Sequence, residues 1–572
     1  MEALHQKDAY KIGHKNQYPV GTSQIYSNFT ARGGQHSNVK DSKGIYFVGL
    51  QFFIKEYLIE EWNNTFFNQP KEKVVSAYKR RVDKILGTDF DISHIEALHD
   101  LGYLPIHIKA LPEGAFIPYN VPMHTITNTL PAHPDFYWVT NMLESVLSCE
   151  LYLPCNSATT YMAYRKASIK YARLTCDDES FVPYQNHDFS MRGMQGRHAA
   201  AISGFASLAC GSVGTDTIAA IDIAEDYYNA NVDEELVGCS VSASEHSVCC
   251  AGGETNELEN LKRLIAEVYP TGNFSYVSDS YDFWKVVTEY LPQLKDIILN
   301  RDGKLIIRPD SSDPVAIICG LDITEFSIED CPTFSKFEAW ALDVIDDYVL
   351  DDTPHGECGV DSCSEIFKWN NNFYEVTVEF DWNRYDKKYY YRDDSRIVST
   401  IKIELTPEQK GLIECLWGTF KGTINTKGYK ELNPKIGAIY GDSITLERQS
   451  QILEKLMKKG FASNNCVFGV GSFSYSLISR DTHGMAMKST YAVINGEPKE
   501  IFKDPKTDTG LKKSAKGLLM VTQENGEYVL HQCVTIEQEK QGCLESVFLD
   551  GKLIRDISLA DIRKVVNDNL SI

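Results

Sequence analysis

Short apolar segments alternate with helix-like segments through the middle of the chain, from residue 151 to about 484. Several of the apolar segments end directly in a cluster of polar residues. Five such clusters occupy residues 214–217, 240–247, 277–282, 308–311 and 440–443. Short buried strands that alternate with helices are typical of a parallel sheet or barrel. Because the carboxyl ends of parallel strands open on one face, we expect the five clusters to converge.

The two ends of the chain have a different pattern. Residues 1–150 mix predicted helices, at 50–63 and 77–86, with short strands such as 106–110. Residues 485–572 are rich in strand-like segments, with a hairpin turn predicted at Glu524-Asn525-Gly526. The sequence therefore predicts an α/β protein. It has an α/β barrel domain at 151–484 and a mixed α+β domain in which 1–150 packs with 485–572.

One stretch interrupts the barrel pattern. Residues 322–428 are aromatic and acidic, with strand-like pieces at 374–378 and 389–391. Thr406-Pro407 reads as the start of a helix. We interpret 322–428 as a subdomain inserted between two barrel strands.

Composition restricts the class of function without identifying it. The chain has 572 residues and a formal net charge of −22, which argues against general nucleic-acid binding but leaves room for an anionic substrate in a basic cleft. No apolar run approaches the roughly 20 residues that span a membrane, and the N-terminus has no signal-peptide pattern. We expect a cytoplasmic protein whose 15 cysteines are reduced. His355, Cys358 and Cys363 lack a clear fourth ligand, so no metal site is predicted.

His246 and Glu245 stand at a predicted strand-to-helix turn, where α/β enzymes commonly place their chemistry. A histidine beside an acidic residue there can carry a proton or, transiently, a phosphate. A Glu-His pair is also common on ordinary protein surface. Asp216 can likewise be read as the N-cap of a helix that starts at Ile218. Capping alone does not account for five clusters that carry His, Arg and Asp side chains.

Taken in order, the motifs resemble those of the nicotinamide phosphoribosyltransferase family over nearly the whole chain outside the insertion. The matching segments are Asp8-Ala9-Tyr10-Lys11, Tyr26-Ser27-Asn28-Phe29 with Arg32, His187-Asp188-Phe189 with Arg192-Gly193, Gly214-Thr215-Asp216-Thr217, 243–246, 277–282, 306–311, Gly441-Asp442 and Phe502-Lys503-Asp504-Pro505. The resemblance implies a dimeric type II phosphoribosyltransferase with an irregular α/β barrel. It also implies a pentosyltransferase that joins nicotinamide to phosphoribosyl pyrophosphate (PRPP) in NAD salvage.

The resemblance places the nicotinamide ring between Phe189 and Tyr10, with Tyr10 and Asp8 supplied by the other subunit of a homodimer. Asp216 would accept a hydrogen bond from the carboxamide NH₂, and Arg308 would reach the carboxamide oxygen. These residue types suit a flat ring with a polar amide. An anionic acceptor favours an amide and repels a carboxylate, which separates nicotinamide from nicotinate.

By the same resemblance, a second set of residues binds PRPP. Its phosphate ligands are Arg32, Arg192, Arg480, Lys488, Lys503 and Lys512, its ribose ligands are Asp310 and Asp442, and its 5′-phosphate cradle contains Gly441, Gly471 and Ser472. Cations and backbone amides are the groups that phosphates need. The chain departs from the family's denser glycine run at Val470, Ser472 and Phe473.

The resemblance also makes His246 the residue that ATP phosphorylates. Asp279 would orient its ring, with Glu245 nearby and Asp310 in the same catalytic group. Hydrolysis of the phosphohistidine would drive synthesis, and Mg²⁺ would bridge phosphate oxygens. Two alternatives stay open: a nicotinate phosphoribosyltransferase of the same fold, and a catalytically silent binding protein on this scaffold.

Overall fold

The computed structural model describes residues 1–351, 360–383, 385, 388–391, 397–503 and 514–570. Several residues singled out from the sequence lie outside these ranges: Lys512, Asp504-Pro505, His355 and Cys358.

A seven-stranded antiparallel sheet joins segments from the two ends of the chain. In spatial order its strands are Glu497–Glu500, Ala486–Ile494, Thr22–Thr30, Pro122–Asn128, Ile106–Ala110, Glu545–Leu549 and Lys552–Leu553. The predicted hairpin is confirmed, because Leu519–Glu524 pairs with Glu527–Gln532 across Asn525 and Gly526. Both turn residues have positive φ, as a tight two-residue hairpin turn requires.

Helices of the N-terminal region share a core with this sheet. The predicted helix at 50–63 begins as Leu50–Phe53 and continues through the wider, π-type segments Ile54–Glu61 and Asn63–Phe67. The other helices are Lys71–Leu86, Ser93–Leu101 and Trp138–Met142. Their apolar side chains and those of the strands form one buried cluster. A short strand pair, Gly44–Tyr46 with Phe116–Pro118, lies beside it.

The middle of the chain forms a six-stranded parallel sheet. In spatial order its strands are Asn186–Asp188, Cys466–Val470, Ile436–Tyr440, Leu305–Arg308, Phe274–Val277 and Ser242–Ala243. The sheet curls. Isolated parallel bridges from Asp188 to Thr215 and from Gly214 to Cys239 continue it from the edge strand Asn186–Asp188 toward the opposite edge. The residues of Ile436–Tyr440 are all buried, which is typical of a parallel sheet covered on both faces. The predicted irregular α/β barrel is confirmed.

Helices surround the parallel sheet and bury their apolar faces in a common core with its strands. The main ones are Glu144–Thr175, Arg197–Ala209, Ile218–Tyr228, His246–Ala251, Glu257–Arg263, Lys295–Asn300, Pro314–Cys319, Leu412–Phe420, Leu446–Lys458 and Leu559–Asp568. The helix predicted to begin at Ile218 does begin there, and it ends at Tyr228. The last helix, Leu559–Asp568, packs in this barrel core, whereas the strands before it belong to the antiparallel sheet.

The insertion contains a small sheet of its own. Its strands are Thr324–Phe326, Val360–Trp369, Asn372–Asn383, Lys388–Tyr391 and Ser399–Ile403, beside the helix Phe334–Asp351. Phe337, Phe367 and Val376 belong to a separate buried cluster. Leu412–Phe420, which the sequence division counts with the insertion, instead packs in the barrel core.

Candidate active site

A cavity of about 270 Å³ lies inside the barrel, among the parallel strands. At the carboxyl ends of the strands its wall includes Phe189, Asp216 and Arg308, and Ser240 lines it just before the strand Ser242–Ala243. Residues from three of the predicted polar clusters therefore meet at one cavity. This convergence follows from the common direction of the strands that carry them.

Asp216 is held as an oriented carboxylate. Its Oδ1 accepts hydrogen bonds from His187 Nε2, at 2.9 Å, and from the hydroxyl of Ser240. Burial alone would raise the pKa of Asp216, but these two hydrogen bonds and the nearby charge of Arg308 lower it overall. Thr217 occupies the N-cap position of the helix Ile218–Tyr228, so Asp216 is not its N-cap. Asp216 therefore presents a negative charge to the cavity.

Arg308 and Phe189 supply a hydrogen-bond donor and an aromatic face to the same wall. Arg308 Nη2 donates to the carbonyl of Ser244 at 2.6 Å. Its buried Nε has no hydrogen-bond partner within the described residues, so this N–H is suited to donate to a bound ligand. The backbone N–H of Phe189 donates to the carbonyl of Val470 at 3.0 Å, which fixes the backbone of Phe189 against the neighbouring strand.

His246 begins the helix His246–Ala251, as predicted, and it contacts Asp279 on the next strand end. The distance between His246 Nε2 and Asp279 Oδ1 is 3.1 Å. Asp279 is nearly buried, with 7% of its side chain exposed, whereas 47% of the His246 side chain is exposed. Asp279 Oδ2 accepts from the N–H of Asp310, at 2.9 Å, and from the hydroxyl of Ser311. An ionised Asp279 places the proton of a neutral imidazole on Nε2, which leaves a lone pair on Nδ1.

The electrostatics around Asp279 keep this carboxylate ionised. Burial would raise the pKa of Asp279, but the bonds from Ser311, from the backbone of Asp310 and from His246 lower it overall. The neighbouring Asp310 has a raised pKa, because burial and the charges of Asp279 and Asp442 outweigh Arg308 and His246. Three carboxylates and one histidine therefore interact at the carboxyl ends of adjacent strands.

Gly441 allows Asp310 to lie close to the next strand end. A Cβ at residue 441 would lie 2.5 Å from Asp310 Oδ1 and 3.2 Å from a methylene carbon of Arg308. A side chain at this position would therefore displace two candidate site residues. Asp442, directly after it, is exposed.

Glu245 occupies the N-cap position of the His246 helix, and its exposed side chain accepts from the hydroxyl of Ser247. Asp282 and Asp313 accept from backbone N–H groups of the helices that follow them. Asp282 and Asp313 are therefore helix caps. The side chains of Asp216 and Asp279 instead accept hydrogen bonds from residues at the ends of other strands.

Three of the candidate phosphate ligands form one basic cluster. Lys488 lies on the strand Ala486–Ile494, Arg32 follows the strand Thr22–Thr30, and Arg480 lies in the turn Arg480–His483. Burial lowers the pKa of Lys488, and the charges of Arg32, Arg480 and Lys11 lower it further, against the opposing effect of Glu144. These cations are close enough to repel one another, as expected for a site built to receive an anion.

The remaining candidate phosphate ligands lie on other segments. Arg192 is exposed in the turn Met191–Gly193, and Lys503 is exposed after the strand Glu497–Glu500. Gly471 and Ser472 follow the strand Cys466–Val470. A Cβ at Gly193 would overlap the Ser472 hydroxyl, so the Arg192 turn packs directly on this loop.

Tyr10 and Asp8 lie away from the cavity. Tyr10 is 62% exposed and does not line the cavity wall. Its ring lies edge-on to His14, 5.2 Å between centroids. The carboxylate of Asp8 accepts from the Ser145 hydroxyl at 2.5 Å, which anchors the arm that carries Tyr10.

Several residues that shape the site had no assigned role from the sequence. His187, Ser240, Ser244 and Ser311 position Asp216, Arg308 and Asp279 through hydrogen bonds between different strand ends. Isolated Ser and His residues carry no pattern that predicts such partners. The matched motifs contained three of them, His187, Ser244 and Ser311, but gave none a function.

Comparison with known proteins agrees with this architecture. Residues 2–108 match the model of the nicotinamide phosphoribosyltransferase N-terminal domain, and residues 184–340 and 377–551 match that of the nicotinate phosphoribosyltransferase (NAPRTase) family. A nicotinamide phosphoribosyltransferase of Acinetobacter baylyi is 42% identical over 571 residues, covering 98% of this chain and 96% of that protein. The chain belongs to the nicotinamide phosphoribosyltransferase family. A relative of the same name from Mycoplasma pneumoniae is 31% identical over 88% of this chain and 92% of its own length.

A solved structure shows the same fold. The nicotinate-nucleotide pyrophosphorylase of Pyrococcus furiosus superimposes with a TM-score of 0.52 at 12% identity, over 100% of this chain and 97% of that one. The fold is that of a type II phosphoribosyltransferase, as predicted. In the parts of the chain that the structure describes, no helix is both long and apolar enough to cross a bilayer.

Proposed function

We propose that this protein is a nicotinamide phosphoribosyltransferase, which forms nicotinamide mononucleotide and pyrophosphate from nicotinamide and PRPP in NAD salvage. Family membership supports the reaction class. The observation that carries the choice of base is Asp216. Its carboxylate is an anionic acceptor in the wall of a barrel cavity that the donor Arg308 also lines.

Nicotinamide fits this cavity through complementary groups. Asp216 accepts from the carboxamide NH₂, Arg308 donates to the carboxamide oxygen, and Phe189 offers one face to the ring. A nicotinate carboxylate in the same place would face the charge of Asp216 and lose a donor.

PRPP is proposed to bind over the same strand ends. Asp310 and Asp442 accept from ribose hydroxyls, while Gly441, Gly471 and Ser472 surround the 5′-phosphate. The basic residues Arg32, Arg192, Arg480, Lys488, Lys503 and Lys512 supply the charges for the phosphate groups. Transfer passes through a ribosyl cation, so the protein contributes mainly positioning and stabilisation of charge.

Mg²⁺ is proposed to enter with PRPP. Within the described ranges, no three His, Cys, Asp or Glu side chains stand close enough to hold a metal by themselves. The pKa of Asp310, which burial and the charges of Asp279 and Asp442 raise, fits a nearby cation. When bound, Mg²⁺ would neutralise phosphate charge and take part of its ligands from water.

His246 is proposed to couple the reaction to ATP. Its Nδ1 attacks the γ-phosphorus of ATP, ADP leaves, and water later hydrolyses the phosphoramidate. Asp279 holds the ring in the reactive tautomer, and 47% exposure of the His246 side chain gives ATP access to it. Glu245 lies beside it on the exposed side of the turn.

A homodimer with shared sites is proposed to complete the ring sandwich. The exposure of Tyr10 and its distance from the cavity wall suit a residue that serves the site of a partner subunit.

We place the enzyme in the cytoplasm, since the cysteines of the described ranges are all unpaired.

One assay tests the proposed function against its alternatives. Product formation from PRPP is measured with nicotinamide or with nicotinate, each with and without ATP. We expect product from nicotinamide, stimulated by ATP. Product from nicotinate alone would make the protein a nicotinate phosphoribosyltransferase, and no product from either base would indicate a silent binding protein.

A further inference from the structure

A single carboxylate, that of Glu144, joins two lysines from distant parts of the chain. Lys11 Nζ contacts Glu144 Oε2, and Lys488 Nζ lies 3.7 Å from Glu144 Oε1. The Lys11 side chain is only 2% exposed, and it also donates to Asn141 Oδ1 at 2.9 Å. A buried lysine needs such partners, because an unpaired charge is costly to bury.

The two lysines lie next to residues that are proposed to bind the two substrates, nicotinamide and PRPP. Lys11 directly follows Tyr10 in the turn Ala9–Gly13, whereas Lys488 lies in the basic cluster on the strand Ala486–Ile494. Glu144 is the first residue of the helix Glu144–Thr175, and the next residue, Ser145, bonds to Asp8. One helix terminus therefore anchors the arm of Tyr10 and forms an ion pair with Lys488, whose Nζ also donates to the carbonyl of Met487 at 2.8 Å.

Glu144 also affects Lys488 through its charge. Lys488 faces three cations, Arg32, Arg480 and Lys11, and one carboxylate, Glu144. Burial and the three cations favour a neutral Lys488, and Glu144 opposes them. The charge of Glu144 also acts on the pKa values of His14 and Tyr18, which follow Tyr10 in the same N-terminal segment.

We propose that Glu144 is a positioning residue that directs the Lys488 side chain toward the phosphates of PRPP and that fixes the Tyr10 arm through Lys11. This inference rests on the proposed function. Glu144 then influences both the stacking of nicotinamide on Tyr10 and the binding of phosphate by Lys488. Both effects act whether these residues serve the subunit's own site or that of its partner.

The test compares Glu144→Gln with wild type, measuring kcat and the KM of each substrate from pH 6.5 to 9.5. A matched control is Glu539→Gln. Glu539 pairs with Lys109 at 2.7 Å with 10% of its side chain exposed, and two strands of the sheet separate Lys109 from Lys488. Glu144→Asp keeps the charge with a shorter reach and serves as a second variant. Thermal unfolding of each variant checks the fold.

We expect Glu144→Gln to raise the KM of PRPP by roughly fivefold at the alkaline end, since one charge interaction of about 1 kcal/mol is lost. As the pH falls, the KM of PRPP for Glu144→Gln should approach that of wild type, because Lys488 becomes protonated in both proteins. The rise in KM with pH should thus begin at lower pH than in wild type. The KM of nicotinamide should rise at all pH values with kcat nearly unchanged. Glu144→Asp should lie between the two, and Glu539→Gln should match wild type.

Two kinetic outcomes would overturn the inference. Unchanged KM values and an unchanged pH profile, with only a lower melting temperature, would make Glu144 a purely structural partner. A lower KM for PRPP at every pH would mean that Glu144 merely repels phosphates. If wild type forms no product, the proposed function fails instead. Calorimetric titration with inorganic pyrophosphate at pH 6.5 and 9.5 still tests the effect of Glu144 on phosphate binding, and equal affinities of wild type and Glu144→Gln at both pH values would overturn it.

Discussion

The Asp216 carboxylate has its two oxygens in different roles. Both hydrogen bonds that it accepts within the described residues go to Oδ1, from His187 and Ser240, which leaves Oδ2 for the proposed bond from nicotinamide. In Asp216→Asn, the amide oxygen must stay toward these donors, and the NH₂ would then face the donor NH₂ of nicotinamide. The charge-assisted bond, roughly 1.5–3 kcal/mol, is lost. We expect the KM of nicotinamide to rise about ten- to hundredfold, with weaker exclusion of nicotinate.

The measurement is the ratio of kcat/KM for nicotinamide to that for nicotinate. Asp222→Asn serves as the control, because Asp222 is exposed on the helix that follows. An unchanged ratio in Asp216→Asn would remove Asp216 from substrate choice.

His246 is accessible and backed by a fixed carboxylate, which suits a transient phosphate carrier. We expect His246→Ala to lose ATP hydrolysis and the acid-labile phosphate, while slow uncoupled transfer persists because the cavity is intact. His198→Ala is the control, since its side chain is equally exposed, at 48%, and pairs with Glu150 at 3.6 Å. Labelling with γ-³²P-ATP reports the phosphate, and its survival on His246→Ala would contradict the assignment.

At the scale of elements, the insertion is attached at a narrow point. Leu321 N donates to Gln409 O at 3.0 Å, so the chain leaves and rejoins the barrel at neighbouring positions. The inserted sheet has its own buried cluster. Replacing residues 324–403 by a short Gly-Ser linker should therefore leave the barrel folded, with kcat/KM for nicotinamide changed by only a few fold.

Retaining Thr406 and Gln409 in the shortened chain preserves the cap of the helix Pro407–Lys410. Far-ultraviolet circular dichroism and steady-state kinetics check the result. A folded but inactive variant would give the insertion a direct part in catalysis.

The strands and the helices after them could be predicted from the sequence because each is a local pattern. The apolar run at 436–439 and the polar residues after it mark a strand end that the structure confirms. The bonds from His187 to Asp216 and from Ser311 to Asp279 could not be predicted, since they join residues 29 and 32 positions apart. Only the curl of the sheet brings such residues together, and no local periodicity encodes it.

At the scale of the whole molecule, the position of Tyr10 predicts a site shared between two chains. Phe189 gives the ring one aromatic face, and Tyr10 lies outside the cavity of its own chain. If Tyr10 acts in the partner's site, Tyr10→Ala and His246→Ala homodimers are each impaired. A heterodimer of the two then has one intact site and one site with both lesions. Random pairing makes about half of the dimers heterodimers, so roughly a quarter of all sites are intact.

Coexpression of these two variants should therefore restore about a quarter of the wild-type ATP-coupled activity. The control is coexpression of His246→Ala with Asp279→Asn. Both residues belong to the same barrel, 3.1 Å apart, so no pairing of these chains yields an intact site. That mixture should be no more active than the mean of its two homodimers. If the Tyr10 mixture behaves in the same way, or if the protein is monomeric at assay concentration, Tyr10 acts within its own chain or has no part in the site.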